Sequence, residues 1–339
     1  MKIFHKTFVT SATLLLAFLL SACGAGTGIQ HHESSSESTS VSTGIHQRTV
    51  TTDLGDVTIP TEPQRIVVLN YALTGYLFNL DLPVVGTTPL NAGSSQNSFS
   101  ENWANEAQEA GTVLLPWANE GFDVEAILAL EPDLIIAGGL GFPSMQAKQQ
   151  YTELTKIAPT VVVSDQLTDW KSQLEFIATD VFDREDIYKE LLATYDRRIQ
   201  EVKNKISFPN EAAGYLLFSS DMSPFGIPED SQLPLFFQEL GVSPAPIQAE
   251  NNFELYGSAG DSFAISAEQV SQTYTQPLLF VAGFNAETFE LDDLRKNSIY
   301  ASLPAFQEGT VEKLPYWFYR PDYDTTMDML DYIEEHFAS

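Results

Sequence analysis

The segment 315–323, PYWFYRPDY, contains the densest group of aromatic side chains in the chain, and that group ends in a cation. Four consecutive aromatic residues run directly into Arg320, in a chain with only 17 basic residues against 46 acidic ones. Arginine offers a permanent charge and a planar set of donors, and neighbouring rings can stack on a flat ligand or on the guanidinium itself. The segment therefore predicts a ligand-binding site. The alternative is a structural arginine paired with Asp322 or Asp324.

The preceding segment 309–314, GTVEKL, has the composition of a strand. If that strand continues, Trp317 and Tyr319 share one face, while Tyr316 and Phe318 share the other. One of these pairs then belongs to the core. We expect Trp317 and Tyr319 to face the ligand.

Histidine is missing from the body of the chain, which removes several kinds of chemistry. The five histidines are His5, His31, His32, His46 and His336, and Cys23 is the single cysteine. Residues 47–335 therefore contain no Ser-His-Asp or Cys-His catalyst and no histidine- or cysteine-rich zinc site. No P-loop or dinucleotide fingerprint is present, since the glycines of 137–143, AGGLGFP, have the wrong spacing. The sequence predicts a binding protein with no catalytic residue, no metal ligands and no covalent cofactor.

The charge and the N-terminus indicate where such a protein acts. A formal net charge of −29 excludes a nucleic-acid partner. Residues 1–22 read as a signal peptide with a basic start and a short apolar stretch. Its end, LLSAC, resembles the lipobox of bacterial lipoproteins, which implies a lipid anchor on Cys23. Residues 23–46 are rich in Ser, Gly and Thr and are predicted to form a flexible tether. We therefore expect a protein held on the extracytoplasmic face of the cell membrane by its lipid alone.

From residue 47 onward, short apolar runs alternate with helical patterns, which is typical of an α/β fold. The predicted strands are 65–69, 83–86, 133–137, 160–163, 214–218, 278–282 and 309–314. The predicted helices are 72–80, 123–131, 144–157, 232–240, 266–273, 293–302 and 323–337. Two such sets predict an N-terminal lobe, 47–168, and a C-terminal lobe, 208–339. The segment 169–207 between them includes one long amphipathic helix, 183–206, with Asp183 as its N-cap.

In open α/β sheets the ligand lies beyond the carboxyl ends of the strands. Asn70 and Tyr71 follow the first strand, Phe142 follows the third, and Phe225 follows the first strand of the second set. Together with Arg320 they are the predicted ligand-binding residues. Aromatic side chains at these positions suit a large, flat, conjugated ligand between the lobes.

Three long segments resemble one known family. PQRIVVLNYALTGYLFNLDLPVVG (63–86), FDVEAILALEPDLIIAG (122–138) and NSIYASLPAFQEGTVEKLPYWFYRPDYDTTMDMLDYIEEHF (297–337) are similar to the siderophore and vitamin B12 class of ABC-transporter binding proteins. Within that class they most resemble the ferric enterobactin-binding type. The resemblance implies a class III periplasmic binding protein fold, with two Rossmann-like lobes joined by a single long helix. It also implies a ferric siderophore as transported ligand and an ABC permease with a cytoplasmic ATPase as partner.

In this family one glutamate on the rim of each lobe docks on permease arginines, and the matching positions here are Glu125 and Glu268. Physically, two separated carboxylates can orient the protein on a cationic surface. The alternative for each is an acidic residue in the first turn of a helix, which the helix dipole favours.

We expect a catecholate siderophore first, because Arg320 could bind catecholate oxygens. A trianionic ferric catecholate usually needs more than one cation, however, and this chain has few. A ferric hydroxamate, a corrinoid, or haem held through Tyr71 or Tyr256 therefore remains an alternative. A lipid-tethered enzyme or adhesin on the same fold is a further one.

Overall fold

The structure, a computed structural model, describes residues 46–89, 98–118, 121–209, 211–255, 261–284 and 289–338. The predicted signal peptide 1–22, the lipidation site Cys23 and the predicted tether, apart from His46, lie outside these residues. No helix among the described residues is long and apolar enough to cross a membrane.

The first half of the body begins with an antiparallel hairpin, β1 (Gln47–Thr52) and β2 (Gly55–Pro60), and continues with a five-stranded sheet. All its strand pairs are parallel, and their order is β5-β4-β3-β8-β9. The strands are β3 (Ile66–Val68), β4 (Val84–Thr87), β5 (Val113–Leu114), β8 (Leu134–Gly138) and β9 (Thr160–Val163). β3, β8 and β9 are buried along their whole length, as their β-branched sequences predict for a sheet covered on both faces.

The remaining elements of this half cover the sheet or extend its loops. A small hairpin is formed by β6 (Trp117–Ala118) and β7 (Gly121–Phe122). The helices are α1 (Tyr71–Asn79), α2 (Ala104–Ala110), α3 (Val124–Ala129), α4 (Phe142–Gln149) and α5 (Tyr151–Leu154). The single predicted helix 144–157 is thus two helices, which meet at Gln150.

The second half contains a mixed five-stranded sheet of order β12-β11-β10-β13-β14. Its strands are β10 (Ala213–Phe218), β11 (Pro224–Gly226), β12 (Phe263–Ala264), β13 (Leu278–Gly283) and β14 (Val311–Lys313). β10, β13 and β14 pair in parallel, whereas β11 and β12 pair antiparallel. The helices are α8 (Gln232–Glu239), α9 (Ile247–Asn251), α10 (Ala267–Thr273), α11 (Leu291–Lys296), α12 (Ser298–Ala301), α13 (Pro304–Glu308) and α14 (Tyr323–Phe337).

Between the two sheets the chain forms α6 (Trp170–Glu175), a π-helical turn at Phe176–Val181, and the long helix α7 (Glu185–Lys203). The predicted long helix is present, but Asp183 is not its N-cap. Asp183 has φ +56°, a left-handed conformation outside the helix, and Arg184 occupies the N-cap without a side-chain cap bond. The tight turn after the π-helical segment holds Asp183 in this left-handed conformation. The apolar pattern of the helix alone does not indicate that turn.

One apolar core runs from the first sheet through the connecting helices into the second sheet. Val68, Leu174, Ile199, Leu217 and Met329 all belong to it and are buried. The chain from Ile45 onward groups into a single unit. The predicted lobe boundaries, 47–168 and 208–339 with 169–207 between them, therefore stay a prediction.

Candidate functional site

A cavity of about 350 Å³ lies where loops of both halves meet. Leu140 and Asp165 enter it from loops that follow β8 and β9, at the carboxyl ends of those strands. From the other half come Ile227, after β11, and Arg320, beyond β14. Pockets for small ligands begin at roughly this size, and this position is the usual one for ligands of open α/β sheets.

Arg320 is fixed at the edge of this cavity by an acidic and an aromatic neighbour. Its Nε donates a hydrogen bond to Oδ2 of Asp261 at 2.6 Å. Its guanidinium carbon lies 4.7 Å from the ring centre of Tyr319, and its Nη2 is 3.4 Å from the Tyr319 hydroxyl. Burial raises the pKa of Tyr319 above its ordinary value, so the phenol is neutral and keeps its proton for hydrogen bonding. The guanidinium is therefore held in one orientation and still has other N–H donors.

The alternative partners considered for Arg320 were wrong. Asp322 caps α14, accepting a hydrogen bond from the backbone N–H of Thr325 at 2.8 Å. Asp324 accepts a hydrogen bond from Nδ2 of Asn79 at 2.8 Å. The partner is Asp261, which lies 59 positions away in sequence.

The prediction that Trp317 and Tyr319 share a face was also wrong. The strand ends at Lys313, and Tyr316–Phe318 forms a 3₁₀ turn with Pro315 as its N-cap. Side chains do not alternate in such a turn, which has three residues per turn. As a result Phe318 and Tyr319 are the buried pair. Tyr319 nevertheless lines the cavity beside Arg320, as predicted for a ligand-facing residue. Trp317 stacks on Phe318 at 4.7 Å and lies outside the residues described as lining the cavity.

The hydrogen bonds of Asn70 and the ring contact of Tyr71 both lie within the first half of the body. Oδ1 of Asn70 caps α1 by accepting from the N–H of Ala72, and its Nδ2 donates to the carbonyl of Gly138 at 2.7 Å. The ring of Tyr71 lies 5.1 Å from that of Trp103. Neither Asn70 nor Tyr71 is among the described lining residues. Burial raises the pKa of Tyr71 to about 12, which opposes the tyrosinate that a haem iron would need. Tyr256 lies outside the described residues.

Phe142 and Phe225 lie in opposite halves and make ring contacts with other aromatic residues. Phe142 begins α4, is 45% exposed, and its ring lies 5.2 Å from Trp117. Phe225 meets Phe284 edge to face at 5.1 Å, and Phe284 in turn meets Tyr319 at 5.5 Å. Phe225 is thus connected to Arg320 through a row of rings, although neither predicted phenylalanine is itself among the described lining residues.

The two halves also meet at a glycine of the loop before α4. Gly141 has φ +74° and ψ −153°, and a Cβ atom there would lie 2.9 Å from Nη1 of Arg320. This backbone conformation is essentially restricted to glycine. Gly141 therefore lets the guanidinium of the second half rest against the backbone of the first.

Sequence reasoning missed the acidic lining of the cavity. Asp165, Asp230 and Asp261 all line it. Asp165 lies two residues after the end of β9, so the rule that ligands bind at the carboxyl ends of strands could have found it. Asp230 and Asp261 lie in loops, and no periodic pattern marks them.

Glu125 and Glu268 occupy equivalent places in the two halves. Each is an exposed residue in the first turn of a helix, Glu125 in α3 behind the cap Asp123 and Glu268 in α10 behind the cap Ser266. No ion pair within 4 Å joins either carboxylate to another residue in the described parts of the chain. Their use in docking stays a prediction.

The comparison with known proteins agrees with this architecture. The sequence profile of the family described as "Periplasmic binding protein" matches residues 66–316. This chain belongs to that family. A relative from Escherichia coli O6:H1, "Ferric enterobactin-binding periplasmic protein FepB", is 27% identical, with 86% of this chain and 91% of the relative covered. "Iron(3+)-hydroxamate-binding protein FhuD" of Bacillus subtilis is also 27% identical, with 98% of each chain covered.

A third relative, the "Probable siderophore-binding lipoprotein YfiY" of Bacillus subtilis, is 26% identical over 96% of this chain and 95% of its own. Among solved structures, holo-ViuP superposes with a TM-score of 0.72 at 22% identity, covering 86% of this chain and 95% of that one. Staphylococcus aureus SirA superposes with a TM-score of 0.67 at 18% identity, covering 85% and 97%. These structures support the α/β periplasmic binding protein fold.

Proposed function

We propose that this protein captures a ferric siderophore in the cavity between its two sheets and delivers it to an ABC importer. The observation that carries the proposal is the cavity itself. It lies at the strand ends of both halves and contains a guanidinium oriented by Asp261 and Tyr319. Relatives that bind ferric siderophores by name extend over nearly the whole chain, which supports the same ligand here.

The function proposed is binding and not catalysis. Members of the family are substrate-binding proteins, and the body of this chain has no histidine between residues 47 and 335. We propose two lobes, 47–168 and 208–339, which meet around the ligand, with 169–207 as the connection. Iron stays held by the siderophore, so the protein needs to recognise only the outer surface of the chelate.

We further propose that the protein is anchored outside the cell membrane through a lipid on Cys23. The named lipoproteins among its relatives support this, as does the LLSAC sequence before that cysteine. Two or more acyl chains give a stable anchor, whereas one chain binds only reversibly.

A titration of the full-length chain in detergent tests the proposed ligand. Ferric enterobactin, a ferric hydroxamate, haemin and cobalamin are added in turn, and heats of binding are recorded by calorimetry. At least one ferric siderophore should bind with one site per chain and at about micromolar Kd or better. Arg320→Ala should weaken that binding by about tenfold or more, the expected loss for a charge-assisted hydrogen bond. Binding of haemin or cobalamin alone would refute the proposal.

Docking on the permease through Glu125 and Glu268 is tested by uptake. The double variant Glu125→Lys, Glu268→Lys should abolish import of iron by cells while leaving the Kd for the ferric siderophore unchanged, because reversed charges oppose the proposed permease arginines. Glu109→Lys with Glu308→Lys is the matched control, since both are exposed glutamates on helices, one in each half. Normal import by the first double variant would rule out this docking mode.

A further inference from the structure

Almost all lysines and arginines of this protein lie outside the lining of the cavity. The chain has 17 lysines and arginines, and Lys2 and Lys6 belong to the predicted signal peptide, which leaves 15 for the body. All 15 lie among the described residues. Only Arg320 among them lines the cavity.

The acidic groups outnumber it there. Asp165, Asp230 and Asp261 line the same cavity. Asp261 neutralises Arg320 at 2.6 Å. Asp165, which is 6% exposed, pairs with Lys148 at 2.6 Å. With both pairs neutralised, the remaining charge of the cavity wall is that of Asp230.

Asp230 is exposed, and no cation of the described residues lies within 4 Å of its carboxylate. It immediately precedes Ser231, the N-cap of α8. The partial positive charge at a helix N-terminus, roughly half a unit charge, reduces the negative potential there without cancelling it. The cavity therefore presents a negative wall to a ligand.

A ferric tris-catecholate carries three negative charges, because three doubly charged catecholates surround Fe³⁺. A ferric tris-hydroxamate is neutral, because three singly charged groups surround the same ion. In a cavity whose one cation is already paired, the trianion loses its hydration and gains no net attraction. A chelate with a pendent ammonium group could instead pair that group with the carboxylate of Asp230.

We infer that the cavity selects a ferric hydroxamate that carries a free ammonium group, and that Asp230 is the residue that receives this group. The inference rests on the proposed function as a siderophore-binding protein and narrows its ligand class. It replaces the catecholate expected from the sequence. Arg320 then serves as a donor to hydroxamate oxygens, not as a counter-ion for a trianion.

The test compares two ligands that differ by a single charge. Ferrioxamine B is a linear ferric trihydroxamate with a protonated terminal amine, and its N-acetylated form is neutral with the same iron centre. Calorimetry of the full-length chain in low-salt buffer should give a Kd for ferrioxamine B about tenfold lower than for the acetylated form, the order expected for one carboxylate at a partly exposed site. Ferric enterobactin should bind at least about a hundredfold more weakly, because its charge has the unfavourable sign.

Variants of Asp230 test whether this side chain causes the preference for ferrioxamine B over its acetylated form. Asp230→Asn should bring the two hydroxamates within about threefold of each other, since it removes the charge and keeps the shape. Asp230→Glu should restore a preference. Asp186→Asn, which removes an exposed carboxylate in the first turn of α7, is the control and should leave the preference intact.

The outcomes separate the inference from the proposed function. Tightest binding of ferric enterobactin overturns the inference and retains siderophore capture. Equal Kd values for the two hydroxamates, no binding of ferrioxamine B, or a preference that survives in Asp230→Asn also overturns it. Failure of every ferric chelate to bind refutes the proposed function, and the inference falls with it.

Discussion

The partly buried carboxyl group of Asp324 makes the free energy of unfolding of this protein depend on pH by an amount that can be calculated. Asp324 lies in the first turn of α14, where that helix packs against α1. Its Oδ2 accepts a hydrogen bond from Asn79, and a Cβ atom at Gly75 would lie only 3.2 Å from the same oxygen. The backbone of α1 therefore covers the carboxyl group from one side.

Burial, followed by the negative charge of Asp322, raises the pKa of Asp324 from 3.8 to about 7. In the unfolded chain the group returns to its ordinary value near 4. Between these two values the folded protein binds more protons than the unfolded one. The free energy of unfolding therefore falls as pH rises from about 4 to about 7, and the loss is complete above the folded pKa.

The folded and unfolded pKa values of Asp324 differ by about three units, which corresponds to about 4 kcal/mol of unfolding free energy at about 1.4 kcal/mol per unit. Because Asp324 is only partly buried, water screens some of this effect, and we expect about 2 to 4 kcal/mol. Asp324→Asn removes the ionisation and keeps an oxygen that can accept from Asn79. The variant should thus gain about 2 to 4 kcal/mol on the wild type between about pH 4 and about pH 8.

The measurement is urea unfolding followed by far-UV circular dichroism at a series of pH values. Urea is uncharged and does not screen the groups concerned, unlike guanidinium salts. Asp186→Asn, an exposed change in α7, provides the comparison for loss of one carboxylate. If the difference between Asp324→Asn and the wild type stays within about 1 kcal/mol across the range, Asp324 is not held with a raised pKa and the reasoning fails.

Three further variants test other parts of the structure. Gly141→Ala forces an L-residue into φ +74° and places its Cβ 2.9 Å from Arg320 Nη1. The variant should therefore lower the free energy of unfolding in urea by about 1 to 3 kcal/mol. It should also weaken siderophore binding measured by calorimetry. Arg65→Ala removes two hydrogen bonds to the carbonyl of Leu130 at 2.9 and 2.6 Å and should lower the free energy of unfolding by about 1 to 3 kcal/mol, with an unchanged Kd for the ligand. Phe237→Ala empties a fully buried position and should cost about 3 to 5 kcal/mol in the same unfolding assay, whereas unchanged stability would contradict the packing described.

The sequence was a good guide to elements whose signal is local. Runs such as 160–163, TVVV, are buried, β-branched and bounded by turns, so the strand and its place in a parallel sheet follow from composition. Arg65, directly before β3, donates hydrogen bonds to the carbonyl of Leu130 at the end of α3. Breaks inside helical patterns were not predicted. Asn297 divides the predicted helix 293–302 because its backbone is extended, at φ −85° and ψ 118°.

The candidate site was predictable only in part, because its contacts connect distant segments. Arg320 stood out through its aromatic neighbours, which are adjacent in sequence. Its partner Asp261 lies 59 positions earlier, in a chain with 46 acidic residues, so no pattern distinguished it from the others. The faces of the aromatic run depended on whether a strand continued past Lys313. Pro315 was the one local sign of the turn that ends it.

The role of Arg320 within the aromatic cluster follows from what surrounds its charge. Asp261 offsets the charge and takes Nε, while Tyr319 supports the guanidinium with its ring and hydroxyl. The backbone of Gly141 lies against Nη1 from the other half. What is left for a ligand is a set of directed N–H donors with little net charge, held where the two halves meet. Binding to such a group depends more on the positions of the ligand's oxygen atoms than on the ligand's net negative charge. An arginine paired in this way therefore suits a neutral iron centre. On the inference above, the carboxylate of Asp230 adds a preference for a chelate that also carries an ammonium group.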